Sequence, residues 1–334
     1  MKKNHNIAVV GDGGWGTTLA IHLSKKNASV QLWGPFSEYL NEMGKTRENQ
    51  KFLPGIPIPP AVILQPRLDE IIEHNDLIVF AVPSKYLRGV LQDIKKKDID
   101  FSKKIILSVI KGMDTKKLLR ISEVIKEELG RVKIAVLSGP NIASEVARGV
   151  PSTAVIASKD KMIAQTLQDL FNSETFRIYT NTDVAGTELG GSVKNIIAIA
   201  CGICDGLGFG TNTKAALLTR GLCEIVGLGK ALGAQEKTFF GLSGLGDLVT
   251  TCFNPSSRNR SVGEQLGQGR SIQDILSSMS MVAEGVDTVS AVYKLSQKLK
   301  VSMPITTEVY QIIYKGKNPS KVVSDLLSRR TKAE

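Results

Sequence analysis

The run ELGGSVKNIIAIACGICD, residues 188 to 205, sets one lysine, Lys194, inside an apolar stretch of small residues. Val193, Ile196, Ile197 and Ala200 follow the i, i+3, i+4, i+7 spacing of a helix with a buried stripe. The face through Lys194 continues with Ala198, Cys201 and Asp205, not with the long polar residues of a wet surface. An ammonium rising from such a floor sits in a cavity or a subunit contact, or snorkels with its stem buried and its head wet. In a cavity it can move protons, because partial desolvation makes an ammonium a better acid. Two further segments offer anion chemistry. In SVIKGMD, Lys111 closes a strand-like run beside glycine, where a cation reaches a ligand or simply meets solvent. In GLSGLGDLVTTCFNPSSRNRSVGE, residues 241 to 264, a flexible glycine run leads to Asp247, and SSRNR opens a helix that Ser256 or Ser257 would cap. Arg258, Asn259 and Arg260 would surround its amide-rich end, which suits a phosphate; solvated arginines on a capped surface helix are the plain alternative.

These residues need elements to hold them, and the first half of the chain predicts a nucleotide-binding unit. A β-like run, Ile7 to Val10, meets Gly11-Asp12-Gly13-Gly14-Trp15-Gly16, then a helical pattern to about Lys26, then a second strand over Ser29 to Trp33. GxGxxG set between strand and helix is a dinucleotide signature. Gly11 allows the tight turn, Gly13 lets backbone approach a diphosphate, and Gly16 lets helix and strand pack closely. After the second strand stand Trp33-Gly34-Pro35-Phe36, with no acid and no arginine, so the choice between NAD and NADP is not written there. Strand-like runs continue at 77–83, 104–112, 133–140 and 153–158, several separated by helical runs, while 52–62 reads as a proline-rich loop or irregular crossover. The loop SGPNIASE, 138–145, leaves a strand and opens a helix; Asn141 is a candidate N-cap, and amides around Gly139 and Asn141 could hold an oxyanion or amide.

From about residue 188 the strand signals stop, and helical patterns run through 190–204, 212–232, 258–268, 271–278, 284–299, 304–315 and 319–330. Pro304 and Pro319 fit first-turn positions. The expected architecture is α/β: a doubly wound, mostly parallel Rossmann-type sheet over 1–187, followed by an all-helical C-terminal domain over 188–334. The Lys194 helix would line the cleft between them.

Composition narrows the function classes. The 334 residues are 42% hydrophobic and 22% charged, which suits a globular protein with two cores. No apolar run reaches the ~18 residues of a membrane span, and the amino terminus lacks a secretory pattern, so a cytoplasmic protein is expected. The net charge of +11 is scattered and aromatics make up only 5%, which argues against nucleic acid but favours small anionic metabolites. Cys201 and Cys204 form a CxxC without a second pair, and His5, His22 and His74 are isolated, so no metal site and no catalytic histidine are expected. Apolar helix faces would suit a homodimer or a core equally.

Nearly the whole chain resembles the bacterial NAD(P)-dependent glycerol-3-phosphate dehydrogenase family. The resemblance runs in order through GDGGWGTTLA, FLPGIPIP, AVPS, IKGMD, SGPNIASE, GGSVKNIIAIACGICDGLGFGTNTKAAL, GLSGLGDLVTTC, SSRNR, EGVDT and MPITTEVY. It implies reduction of dihydroxyacetone phosphate, a small phosphorylated three-carbon substrate, by NADH or NADPH to sn-glycerol 3-phosphate, a phospholipid precursor. It also implies Lys194 as proton donor and acceptor, with Lys111 near both cofactor and substrate. Asp247, Ser257, Arg258 and Asn259 match substrate-site positions, with Arg258 on the phosphate; Asn195 and Thr251 would support the substrate hydroxyls. Gly14, Trp15, Ala143, Val282 and Glu284 match cofactor contacts. Pro35 replaces a basic or histidine position, which puts NADP preference in doubt, and Asn141 stands where Thr or Ser is more frequent. A lysine-dependent hydroxy-acid dehydrogenase, a non-catalytic NAD(P) redox sensor and a structural protein are the competing readings.

Overall fold

The computed structural model describes residues 5–26, 29–97, 99–279 and 281–328. Its strands are β1 (Asn6–Val10), β2 (Ser29–Trp33), β3 (Glu48–Asn49), β4 (Leu53–Pro57), β5 (Val62–Leu64), β6 (Leu77–Phe80), β7 (Ile105–Ser108), β8 (Lys133–Ser138), β9 (Ser152–Ala157) and β10 (Phe176–Asn181). Eight of them form one sheet in the order β10-β9-β8-β7-β6-β1-β2-β5, and β3 and β4 form a separate hairpin. β5, β2, β1, β6, β7 and β8 run parallel, so their carboxyl ends share one edge. β9 turns antiparallel to β8, and β10 follows β9 in parallel.

The sheet is buried on both faces, which is why its strands are apolar runs rather than alternating ones. Ile7 and Val9 enter one core with Leu19 and Leu23 of the helix Gly14–Ser24 and Leu167 of the helix Lys161–Phe171. Ala8 and Val10 enter the other, with Leu87 and Leu91 of Ser84–Lys95 and Val124 of Ile121–Leu129. The period of two along β1 feeds both layers.

The chain divides into two compact units. One comprises residues up to Lys111 together with Leu119–Glu188; the other comprises Gly112–Leu118 and the chain from Leu189 onward. After Leu189 the regular elements of the second unit, among the described residues, are all helices. The helix bearing Lys194 runs from Val184 to Gly206, starting well before the predicted residue 190, because Asp183 accepts from the Gly186 N–H and caps it (2.9 Å). Pro304 and Pro319 do open helices, and buried Glu224 receives the free Ile305 and Thr306 amides beside Pro304 (2.5 and 3.1 Å).

Three further predicted elements differ. The segment 52–62, predicted as a loop or crossover, contains β4 and reaches β5. The hairpin strand β4 tolerates Pro54 and Pro57 because its partner β3 has only two residues. The flexible run 241–246 is instead a π-helical turn, Leu242–Gly246, continuous with the helix Asp247–Phe253. The last helix ends at Leu327 rather than residue 330; residues 329–334 lie outside the described ones.

Small residues lock the helical unit. A Cβ on Gly202 would lie 2.0 Å from the Arg260 carbonyl oxygen, and one on Gly263 would lie 2.0 Å from that of Ile199. Gly206 and Gly267 repeat the contact one turn further on. The helix Arg258–Gly267 therefore lies backbone to backbone on the Lys194 helix. Alanine normally stabilises a helix interior by about 1 kcal/mol over glycine. Gly89, exposed with nothing near its would-be Cβ, should follow that rule when changed to Ala. Gly202→Ala should reverse it, losing about 1–3 kcal/mol to overpacking. Thermal or denaturant unfolding of both variants checks the opposite signs; a rise in Tm for Gly202→Ala would refute the interlock.

Candidate functional site

The predicted site residues fall into two sets, one in each unit. In the first, the glycine loop leaves β1 at its carboxyl end. Gly11 has φ +126 and sits so close to the chain after β6 that a Cβ would be 2.7 Å from the Ala81 carbonyl carbon. A Cβ on Gly16 would lie 1.9 Å from the Gly11 oxygen. Gly13 alone in the loop has nothing within 4 Å of that position. The first turn of Gly14–Ser24 holds no acid, and Gly13 makes no side-chain cap, so the loop leaves open space before an amide-rich helix end. This cradle fits a diphosphate. Gly14 backs onto the Phe52 carbonyl, and Trp15 packs edge-on against Phe176 while its indole N–H is buried with no partner. Pro35 is exposed.

Lys111 and the SGPNIASE loop follow the carboxyl ends of β7 and β8, on the same edge as the glycine loop. The Lys111 ammonium donates to the Gly139 oxygen (2.9 Å). Gly139 has φ +151, where a side chain would be strained, and packs on Ala154. Asn141 does not cap the next helix. Ala143–Ala147 has Ile142 at its N-cap with no side-chain bond. The turn closed by the Asn141 N–H on the Gly139 oxygen swings the side chain to β9, where its amide nitrogen donates to the Thr153 oxygen (2.8 Å). Its Oδ1 is left buried without a partner. The Ala143 carbonyl takes the Thr18 hydroxyl, tying this loop to the glycine-loop helix (3.1 Å).

The second set centres on Lys194, 4% exposed on a helix buried on every face from Gly186 to Cys204. Its ammonium donates to Asp247 Oδ1 at 2.6 Å and to Thr251 Oγ1 at 2.5 Å. Thr251 in turn donates to the Asp247 carbonyl (2.7 Å). Asp247, 1% exposed, is brought there by the π turn. A Cβ on Gly190 would lie 2.4 Å from the Ser243 oxygen, and one on Gly244 would lie 2.1 Å from the Phe239 oxygen. Next to Thr251 in the chain, Cys252 contacts Cys201, and both are free and buried, as is Cys204. Asn195 is buried beside Lys194.

The SSRNR helix begins as predicted, with Ser257 Oγ accepting from the Arg260 N–H (3.3 Å). Its polar residues do not all face one ligand. Arg258 is exposed and donates to the Val282 oxygen (2.7 Å). Asn259 Oδ1 accepts from the Gly285 N–H (2.9 Å), joining this helix to the start of Glu284–Leu299, whose first residue is Glu284. Arg260 turns away to Asp205, which also holds Lys214 (2.7 and 2.8 Å). The interlock of glycines places Arg260 over the Lys194 helix, so it braces the two helices instead of lining the anion end.

Sequence reasoning missed Asp12. It is 6% exposed, its Oδ2 is buried with no partner, and burial pushes its carboxyl from the ordinary 3.8 up to about 6. The signal was an acid inside a glycine loop. Among the described residues no helix is long and apolar enough to cross a membrane, and no His, Cys, Asp and Glu group could hold a metal ion.

Two consequences are measurable. A buried ion pair loses about 3–5 kcal/mol when one partner is removed, because the other charge is stranded. Asp247→Ala should unfold at correspondingly lower denaturant, and adding Lys194→Met should restore part of the loss. For Asp12 the folded pKa lies above the unfolded one, so the folded state favours the protonated form. Stability without ligand falls as pH rises from about 4 to 6 and stays lower above it, by roughly 2–3 kcal/mol. Asp12→Asn should therefore raise the unfolding midpoint at pH 8 far more than at pH 4.

The chain matches two family models. One is described as the NAD-dependent glycerol-3-phosphate dehydrogenase N-terminus, over residues 6–164; the other is the C-terminus of the same family, over 183–324. It is 46% identical to a glycerol-3-phosphate dehydrogenase [NAD(P)+] of a Thermoanaerobacter species, covering 98% of each chain. It is 45% identical to one from Chlorobium chlorochromatii, covering 98% of this chain and 99% of the relative. The crystal structure of glycerol-3-phosphate dehydrogenase from Coxiella burnetii superposes with a TM-score of 0.94 at 39% identity, over 98% of this chain and 99% of that one.

Proposed function

The chain belongs to the NAD-dependent glycerol-3-phosphate dehydrogenase family and is an NAD(P)-dependent oxidoreductase, and from that premise we propose the reaction and the role of each residue. The substrate is dihydroxyacetone phosphate and the product sn-glycerol 3-phosphate, a precursor for glycerophospholipid synthesis in the cytoplasm. The observation that carries the reading is the buried Lys194–Asp247–Thr251 cluster, set on a helix locked by glycines to the Ser257-capped helix that bears Arg258.

The nucleotide unit, 1–187 by its sequence signals, holds the cofactor through the amides of Gly11 to Gly16 and the edge formed by Lys111, Gly139 and Ala143. When bound there, a reduced nicotinamide would supply hydride to the substrate's carbonyl carbon. Hydride brings no proton, so the oxygen becomes an alkoxide unless an acid serves it. Lys194 donates that proton, and in reverse its neutral amine takes the hydroxyl proton of sn-glycerol 3-phosphate. Asp247 and Thr251 fix the direction of the ammonium and offset its burial. Asn195 and Thr251 orient substrate hydroxyls. Ser257, Arg258 and Asn259 hold the phosphate at the helix amides, so the carbonyl is positioned for attack rather than merely captured. Lys111 adds positive charge to the cofactor-holding edge of its own unit.

Initial rates of NADH and NADPH oxidation with dihydroxyacetone phosphate test the reaction directly; no turnover with either would sink it. Lys194→Met should lower kcat by ~10²–10⁴-fold, the usual yield of general acid catalysis. Arg258→Ala should raise KM for dihydroxyacetone phosphate by about 10- to 100-fold, from the ~1.5–3 kcal/mol of a hydrogen bond to a charged group. If both variants lose activity in the same pattern, the separation of proton transfer from phosphate binding is wrong.

A further inference from the structure

The end of β2 lacks the acid that, in dinucleotide folds, accepts from the adenosine ribose 2′-hydroxyl and opposes a 2′-phosphate. Trp33 donates its indole N–H to the Pro66 oxygen (3.2 Å), Gly34 has no side chain, and Pro35 and Phe36 face solvent. A carboxylate nevertheless occupies that place. The would-be Cβ of Gly34 falls 2.2 Å from Asp12 Oδ2 and 2.3 Å from its Cγ. The loop acid fills the volume that a side chain at position 34 would take, so the two positions exchange roles.

The Asp12 backbone is pinned. Its carbonyl accepts from Asn49 Nδ2 (2.7 Å) and from the Thr17 hydroxyl (3.2 Å). Asn49 also donates to Thr17 Oγ1 and accepts from the Tyr39 hydroxyl, each at 2.7 Å. The carboxylate gains little from these contacts, since Oδ2 remains buried with no donor. Lys51 is the cation whose field reaches it, and that side chain is exposed over the Phe52 ring. A buried carboxylate oxygen without a donor costs free energy that a hydroxyl-bearing ligand removes.

We propose that Asp12 stands in for the missing strand-end acid, accepting from the adenosine ribose hydroxyls of NAD(H) and repelling the 2′-phosphate of NADP(H), so that this chain selects NAD(H). The inference rests on the reading of this unit as the holder of the dinucleotide. It makes Asp12 a specificity residue, distinct from the glycines that admit the diphosphate shared by both cofactors.

Binding of NADH and NADPH, followed by nicotinamide fluorescence at pH 7.5, tests it, with adenosine 2′,5′-bisphosphate and ADP as non-redox competitors. The native protein should bind NADH at least about tenfold more tightly than NADPH, as expected for repulsion between two desolvated anions. Asp12→Asn, which keeps the shape beside Gly34, should tighten NADPH and adenosine 2′,5′-bisphosphate with little change for ADP. Asp12→Ala should bring the two cofactor affinities together. Equal affinities in the native protein, or equal loss of both cofactors in the variants, would overturn the proposal while turnover of dihydroxyacetone phosphate leaves the proposed reaction standing. Selective NADH binding without turnover would do the reverse, and binding of neither cofactor would overturn both.

Discussion

An ammonium ion removed from water must be repaid in kind, and the helical unit is arranged around that requirement at Lys194. The helix carrying it is buried on every face through Cys204, so its charge has no route to solvent along its own surface. Asp247 and Thr251 supply the oxygens. They reach the ammonium because the π turn Leu242–Gly246 lies on the helix at Gly190, where no side chain intervenes. A π turn with a glycine at its tightest contact is a poor element in isolation, and its neighbours hold it in place. The same helix, one end further on, meets Arg258–Gly267 through Gly202, Gly206, Gly263 and Gly267. Thus one helix fixes both the proton-bearing group and the capped helix start proposed to hold phosphate.

The nucleotide unit obeys a related rule with backbone instead of charge. Gly11 and Gly16 are glycines because carbonyls of the loop and of the chain after β6 occupy the volume of any Cβ, whereas Gly13 faces open space. Asp12 shows the cost of placing an acid in such a loop: burial raises its pKa, and its outer oxygen goes unsatisfied. The first unit thereby carries a strain of polarity at the place where a ligand's hydroxyls would relieve it. Lys111 and Asn141 sit on the same edge because parallel strands deliver their loops to one side of a sheet.

Much of the fold was legible because it rests on short-range signals. The strand at Ile7–Val10, its glycine loop and the helix that follows form one local unit, and the helical patterns after residue 188 have the 3.6-residue period. Errors clustered where local chemistry points one way and packing the other. GLSGLG reads as flexible because glycine is, yet Ser243 and Gly244 are buried where they pack against Gly190 and Phe239. Asn141 has the side chain of a cap, yet the antiparallel pairing of β9 with β8 sets the Thr153 oxygen beside it, and the amide donates there. Arg260 shares a tripeptide with Arg258 but stands on another face of the helix, over Asp205.

The sequence by itself determined the kinds of chemistry present: an ammonium in an apolar helix, a glycine cradle after a first strand, and a serine-capped basic helix. Those follow from residue type and from spacing within a turn or two, which secondary structure preserves. Only the tertiary structure decided the pairings. Lys194 and Asp247 are 53 residues apart and meet at 2.6 Å. Asp12 and Gly34 come into contact because β1 and β2 lie side by side in the sheet. Such contacts depend on how helices and strands pack in three dimensions, and no periodicity along the chain encodes which carboxylate will fill which neighbour's space.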